Sequence, residues 1–142
     1  MGANISARRV AQPFVASGTG RIASARFTLL NIGANTPLGV QIRTTQNGVP
    51  TQQTLGTAIL MDIEPVTVED DPQEVTVGFQ PTVAVTQGVT YALVITDLAN
   101  NGIQLAASGT EACPLRCYVD AGNTNTFEPN ADDVSLLFSI TP

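Results

Sequence analysis

Hydrophobic and polar residues alternate with period two along most of this chain. Ala25, Phe27 and Leu29 are interleaved with Arg26 and Thr28, and Val40 and Ile42 with Gln41 and Arg43. Val75, Val77 and Phe79 alternate with Glu74 and Thr76, and Val134, Leu136, Phe138 and Ile140 with Ser135 and Ser139. Because successive side chains of a strand point to opposite faces, each run presents one face to a core and one to water. Tyr91-Ala92-Leu93-Val94-Ile95 is apolar at every position and so belongs in the middle of a sheet or beneath a cover. No segment carries the 3.6-residue spacing of a helix. The stretch from Gln53 to Met61 is ambiguous: it could open with one helical turn, but its Gly and Thr residues favour an edge strand.

Turn residues punctuate these runs at intervals of roughly ten residues. Gly18-Thr19-Gly20, Asn35-Thr36-Pro37, Asn47-Gly48-Val49-Pro50, Asp71-Pro72, Gln87-Gly88, Asn100-Asn101-Gly102 and Glu128-Pro129-Asn130 each supply a positive φ or a preset bend. They delimit predicted strands at 10–16, 21–31, 39–45, 55–61, 64–68, 73–80, 83–86, 90–96, 103–107, 116–119 and 134–141. So many antiparallel strands without a helix predict two stacked sheets, an all-β antiparallel β-sandwich of jelly-roll type. No linker or repeat divides residues 10–142, which read as a single domain, while residues 1–9 are polar and read as a flexible N-terminal arm.

Composition narrows the chemistry. The 142 residues contain 18 Thr and 14 Val, which suit a pleated surface, and 12 acidic against 6 basic side chains. All six basic residues are Arg, and Lys, His and Trp are absent. Without His or Lys the chain has no imidazole base, Schiff-base amine or phosphate-loop lysine, so no catalytic residue and no cofactor is expected. A net charge of −6 disfavours nucleic acid and anionic membranes as partners. No window approaches the roughly 18 apolar residues of a membrane span. The start, Met1 to Arg9, lacks the apolar run of a signal peptide, which predicts assembly in a host cytoplasm; Gly2 with Ser6 fits only the loose myristoylation pattern.

Two cysteines stand in Cys113-Pro-Leu-Arg-Cys117. They are read as free thiols or as a local disulfide closing a very small loop, and not as a metal site, which needs four ligands. Glu69-Asp70-Asp71 and Asp132-Asp133 could attract calcium, but neither matches a calcium-loop spacing and a solvated acidic turn accounts for each; no metal site is expected. A carboxylate pair could serve a glycosidase, but that reaction needs a cleft with sugar-stacking walls, which a sandwich without Trp does not offer.

Ala11-Gln12-Pro13-Phe14-Val15-Ala16, the run from Gly20 to Phe27, the run from Val40 to Pro50 and the run from Val83 to Ile95 together follow a jelly-roll pattern. Over residues 10–96 the chain resembles the galactose-binding-like and carbohydrate-binding-module sandwiches found in bacteriophage virion proteins and secreted bacterial proteins. The resemblance implies the fold more than a function. After residue 96 the chain departs from it, since related modules often carry several Trp and Tyr residues there and this one has Gly102-Ile103-Gln104-Leu105-Ala106-Ala107. Sugar recognition usually needs an aromatic face with polar groups beside it. Tyr118 and Phe127 are the aromatics available for that, with Asp120, Asn123 and Asn125 on the same stretch.

These features lead to an expectation of a non-enzymatic structural protein of a phage-like particle, a capsid decoration or cement protein or a small tail component located in the virion. Arg8 and Arg9, basic residues on an acidic body, would dock on a protein lattice of major capsid or tail protein, with the chain as a homo-oligomer. The alternative is a carbohydrate-binding module for a cell-surface polysaccharide, with Tyr118, Asp120, Asn123, Asn125 and Phe127 as the glycan contacts. Arg21, Arg26 and Arg43 are expected on outward strand faces, serving solubility or blocking edge pairing.

Overall fold

A computed structural model describes the backbone of residues 3–7, 9–31, 37–60, 73–98, 103–108, 118–120, 128–129, 135–136 and 138–141, with side chains within 9–29, 37–60 and 74–98. The elements are β1 (Ala3–Ala7), β2 (Arg9–Val15), β3 (Gly20–Asn31), β4 (Leu38–Gln46), β5 (Val49–Leu60), β6 (Gln73–Val85), β7 (Thr90–Asp97), β8 (Ile103–Ser108), β9 (Tyr118–Asp120), β10 (Glu128–Pro129), β11 (Ser135–Leu136) and β12 (Phe138–Thr141). All strand pairs are antiparallel. Among the described residues none is helical, and none lies in a helix able to cross a membrane.

The strands form two sheets. One runs β1-β8-β3-β12, with β6 also on β3 and β11 on β8; the other runs β10-β9-β2-β7-β4-β5. The chain changes sheet at every step from β1 to β9 except between β4 and β5, and again between β10 and β11. This alternation lays two amphipathic sheets face to face, the predicted sandwich. Residues Ala3–Ala7 correct the expected arm: they are a strand paired in register with β8, and Arg9 already opens β2. The predicted strands at 73–80 and 83–86 are one strand, β6, which continues through a cis Gln80-Pro81 bond. The predicted strand at 64–68 lies outside the described residues.

Every inward row comes from the alternation. Val10 of β2, Leu38, Val40 and Ile42 of β4, and Tyr91, Leu93 and Ile95 of β7 face Ile22, Ala25, Phe27 and Leu29 of β3 and Val77, Phe79, Val83 and Val85 of β6. Burying each large side chain contributes about 1.5–3 kcal/mol. On β3 the buried positions change from even at Ile22 to odd at Ala25, and the register irregularity between Ile22 and Ser24 is what permits it. A residue inserted in a ladder reverses which positions face inward, so both halves of β3 bury their apolar set.

Local chemistry sets the connections. Asn47 and Gly48 both have positive φ, 54° and 81°, as the two-residue hairpin between β4 and β5 requires. At the turn before β7, Val89 N donates to Thr86 O at 3.1 Å and Gly88 supplies φ 83°. Pro13 sits inside β2, but β9 pairs only with residues 9–11. Among the described residues no strand pairs with Pro13 on that side, so its missing N–H breaks no described ladder bond, and buried Gln12 donates Nε2 to the Pro13 carbonyl at 3.0 Å.

Candidate functional site

One residue of the basic pair, Arg9, and two of the predicted ligand stretch, Tyr118 and Asp120, are brought to neighbouring strands. In the sheet containing β2, the odd positions of that strand, Arg9, Ala11 and Pro13, point away from the core occupied by Val10. Arg9 stands opposite Thr96 of β7 on one side and Asp120 of β9 on the other, while Ala11 stands opposite Val94 and Tyr118. The next positions across the sheet are Gly39 and Gln41 of β4, opposite Thr96 and Val94. A basic, an acidic and an aromatic residue thus occupy adjacent register positions although more than a hundred residues separate β2 from β9.

The described side chains here are tied down by hydrogen bonds. Arg9 is half-buried and donates Nε to Thr96 Oγ1 at 3.1 Å. Arg43 donates Nε to Gln41 Oε1 at 2.8 Å and Nη1 to Thr51 O at 3.4 Å, and Thr45 Oγ1 donates to Thr90 O at 2.9 Å. Between the two arginines Ala11, Ala92 and Val94 form a second buried cluster, with Val49 packed against it. Ala11, Ala92 and Val94 are fully buried and Arg43 nearly so, so this part of the face is closed to water and its guanidinium and threonine donors find their partners within the sheet. Solvent still reaches Arg9 on the β2–β9 side, where a guanidinium can meet hydroxyl, carboxylate or carbonyl acceptors.

Two expectations change. Arg9 is not carried on a free arm, because the ladder to β7 holds its backbone and Thr96 its side chain. Arg43 does not face water: it is 6% exposed, opposite fully buried Ala92 of β7 and hydrogen-bonded to Gln41 and Thr51. Arg21 and Arg26 do lie on exposed positions, Arg21 donating Nη2 to Thr82 O at 2.8 Å and Arg26 pairing with Glu74 at 3.5 Å. Gln41, Arg43 and Thr96 were missed as members of this polar set. The signal for them was the doubly apolar run in β7, since whatever covers Ala92 and Val94 also covers their cross-strand neighbours.

Tyr118 and Asp120 are placed by their backbone on β9. Arg8, Asn123, Asn125, Phe127, Cys113 and Cys117 lie outside the described residues, as do Glu69-Asp70-Asp71 and Asp132-Asp133. Among the described residues no group of three His, Cys, Asp or Glu side chains gathers to hold a metal.

No protein-family model and no curated protein sequence matches the chain. Two solved structures are similar to it in fold. One is the clostridial cysteine protease Cwp84 after propeptide cleavage, at 14% identity and a TM-score of 0.60, covering 96% of this chain and 36% of that one. The other comprises the cysteine protease and lectin-like domains of Cwp84, a surface layer associated protein of Clostridium difficile. It aligns at 16% identity and a TM-score of 0.61, covering 95% of this chain and 32% of that one. The chain spans about a third of the length of the structures it matches, and at these identities the likeness is one of fold.

Proposed function

We propose that this chain is a non-enzymatic recognition module that binds a cell-surface polysaccharide along the β2–β9 side of its outer face. The observation that carries this reading is the register that sets Tyr118 beside Ala11 and Asp120 beside Arg9. An aromatic ring for a pyranose face, a carboxylate for hydroxyl donors and a guanidinium for hydroxyl or carboxylate acceptors are what sugar sites use. The lectin-like domains of the second similar structure support a binding role over a catalytic one. The absence of His and Lys from the sequence supports it as well.

A second reading is a structural protein of a phage-like particle, docked on a protein lattice in the virion. It is favoured by Val15 and Val89, 50% and 43% exposed and adjacent where Ala16 N donates to Val89 O at 3.0 Å. Exposed apolar side chains grouped in this way suit a protein surface better than a sugar. One experiment separates the two. On a polysaccharide and glycan array the chain binds at least one ligand, and Tyr118→Ala or Arg9→Gln weakens that binding by roughly tenfold or more, about 1.4 kcal/mol. A blank array across cell-surface polysaccharides removes the glycan reading, and co-sedimentation of the same protein with phage particles then supports the lattice reading.

A further inference from the structure

We propose that β5 is the pairing edge of a symmetric dimer, in which the β5 strands of two copies of this chain run antiparallel about a two-fold axis at Thr57. The inference is independent of what the outer face binds. β5 ends its sheet: it pairs with β4 on one side, and no described strand flanks it on the other. Gln52, Gln53, Thr54, Leu55, Thr57 and Ile59 are all exposed, Leu55 by 37% and Ile59 by 59%. An open edge of this kind offers unpaired N–H and C=O groups to another strand.

Proteins commonly block such edges with charge, proline or a bulge. β6, which lies at the side of β3 in the other sheet, carries Glu74 and Pro81. Residues 51–60 of β5 contain no charged residue and no proline. The register with β4 is irregular around Arg43, opposite Thr54, but regular from Gly56 to Leu60. Pairing capacity is therefore concentrated at the end of the strand where Leu55 to Leu60 lie.

The pattern there matches itself. An axis at Thr57 sets Leu55 of one copy opposite Ile59 of the other, twice, and Gly56 opposite Ala58. A two-fold interface requires this reciprocity, in which residue i meets j and j meets i. It gives both exposed apolar side chains of β5 an apolar cross-strand neighbour, which an unrelated partner strand would have no reason to do symmetrically. Charge points to the same surface. Each copy carries −6, and contact through this strand adds no like charges to that repulsion.

Thr57 faces its own symmetry mate, so charge substitution there tests both the contact and the axis. In sedimentation velocity over a wide concentration range, wild-type protein forms a dimer, whereas Thr57→Lys and Thr57→Asp each sediment as folded monomers by circular dichroism. An equimolar mixture of the two variants restores the dimer, because unlike charges then meet across the axis. Ala84→Lys, at an exposed position of β6, leaves the dimer intact. If Thr57→Lys does not fold, Ile59→Lys gives the same loss of dimer from the other exposed pair. A wild-type protein that stays monomeric, a Thr57→Lys dimer as stable as wild type, or a mixture that fails to associate overturns the proposal.

Discussion

A Cβ at Gly56 would overlap Val83 Cγ2, because β5 crosses over β6 there with no room for a side chain. Valine is stiff at χ1 and cannot simply swing aside. Gly56→Ala is therefore expected to destabilise the fold by about 1–3 kcal/mol, the usual cost of overpacking. In urea denaturation, Val83→Ala in the same chain should recover part of that loss; a Gly56→Ala protein as stable as wild type would show that the two strands separate easily. Nothing in the sequence marks this glycine apart from the others, since the reason for it is a contact 27 residues away. Asn47-Gly48 differs, because its positive φ values follow from the hairpin that the dipeptide itself encodes. Arg43 stands between these cases. Its alternation with Val40 and Ile42 correctly assigned it to the face opposite the core, and period two says nothing about what lies over that face.

Among the elements, β7 was the most legible. Its unbroken apolar run predicted cover on both faces, and the strand lies between β2 and β4 with residues 91–97 all buried. Amides protected by two ladders and two layers exchange only through large openings. Hydrogen exchange of residues 91–96 should accordingly be slowest among the described strands, and exchange at Thr57 to Ile59 of β5 much faster; comparable rates in both strands would contradict this layering. The edge position of β5 was also legible, from the Gly and Thr residues that argued against a helix there. β1 was not. Ala3, Ile5 and Ala7 do alternate with Asn4 and Ser6, but two of the three apolar residues are too small to make the pattern stand out, and the partner that makes a strand of them, β8, begins almost a hundred residues later. β6 was divided in two because Pro81 reads locally as a break, whereas it falls in the register irregularity between Gly78 and Val83, where no ladder bond to β3 needs its N–H.

At the scale of the whole molecule, neighbours in space are distant in sequence: β1 with β8, β2 with β7 and β9, β3 with β12. Chains whose pairings close long loops fold slowly, on the order of milliseconds to seconds, so stopped-flow refolding should fall in that range; microsecond refolding would show that local hairpins dominate instead. The same distances explain how information about this protein is divided. The period-two alternation and the turn residues alone determined that the chain is all-β, that its strands are amphipathic and that Ala25, Phe27, Leu29, Val40, Ile42, Val77 and Phe79 face the core, because side-chain direction within an unbroken strand alternates with position. The absence of Lys, His and Trp likewise bounded the chemistry before any fold was known. Tertiary structure alone decided that Arg9 is held in a ladder, that Arg43 is buried and that Tyr118 and Asp120 flank Ala11 and Arg9. Each of these depends on which strand lies next to which, and strand order is settled by the packing of two complete sheets, which no single segment encodes.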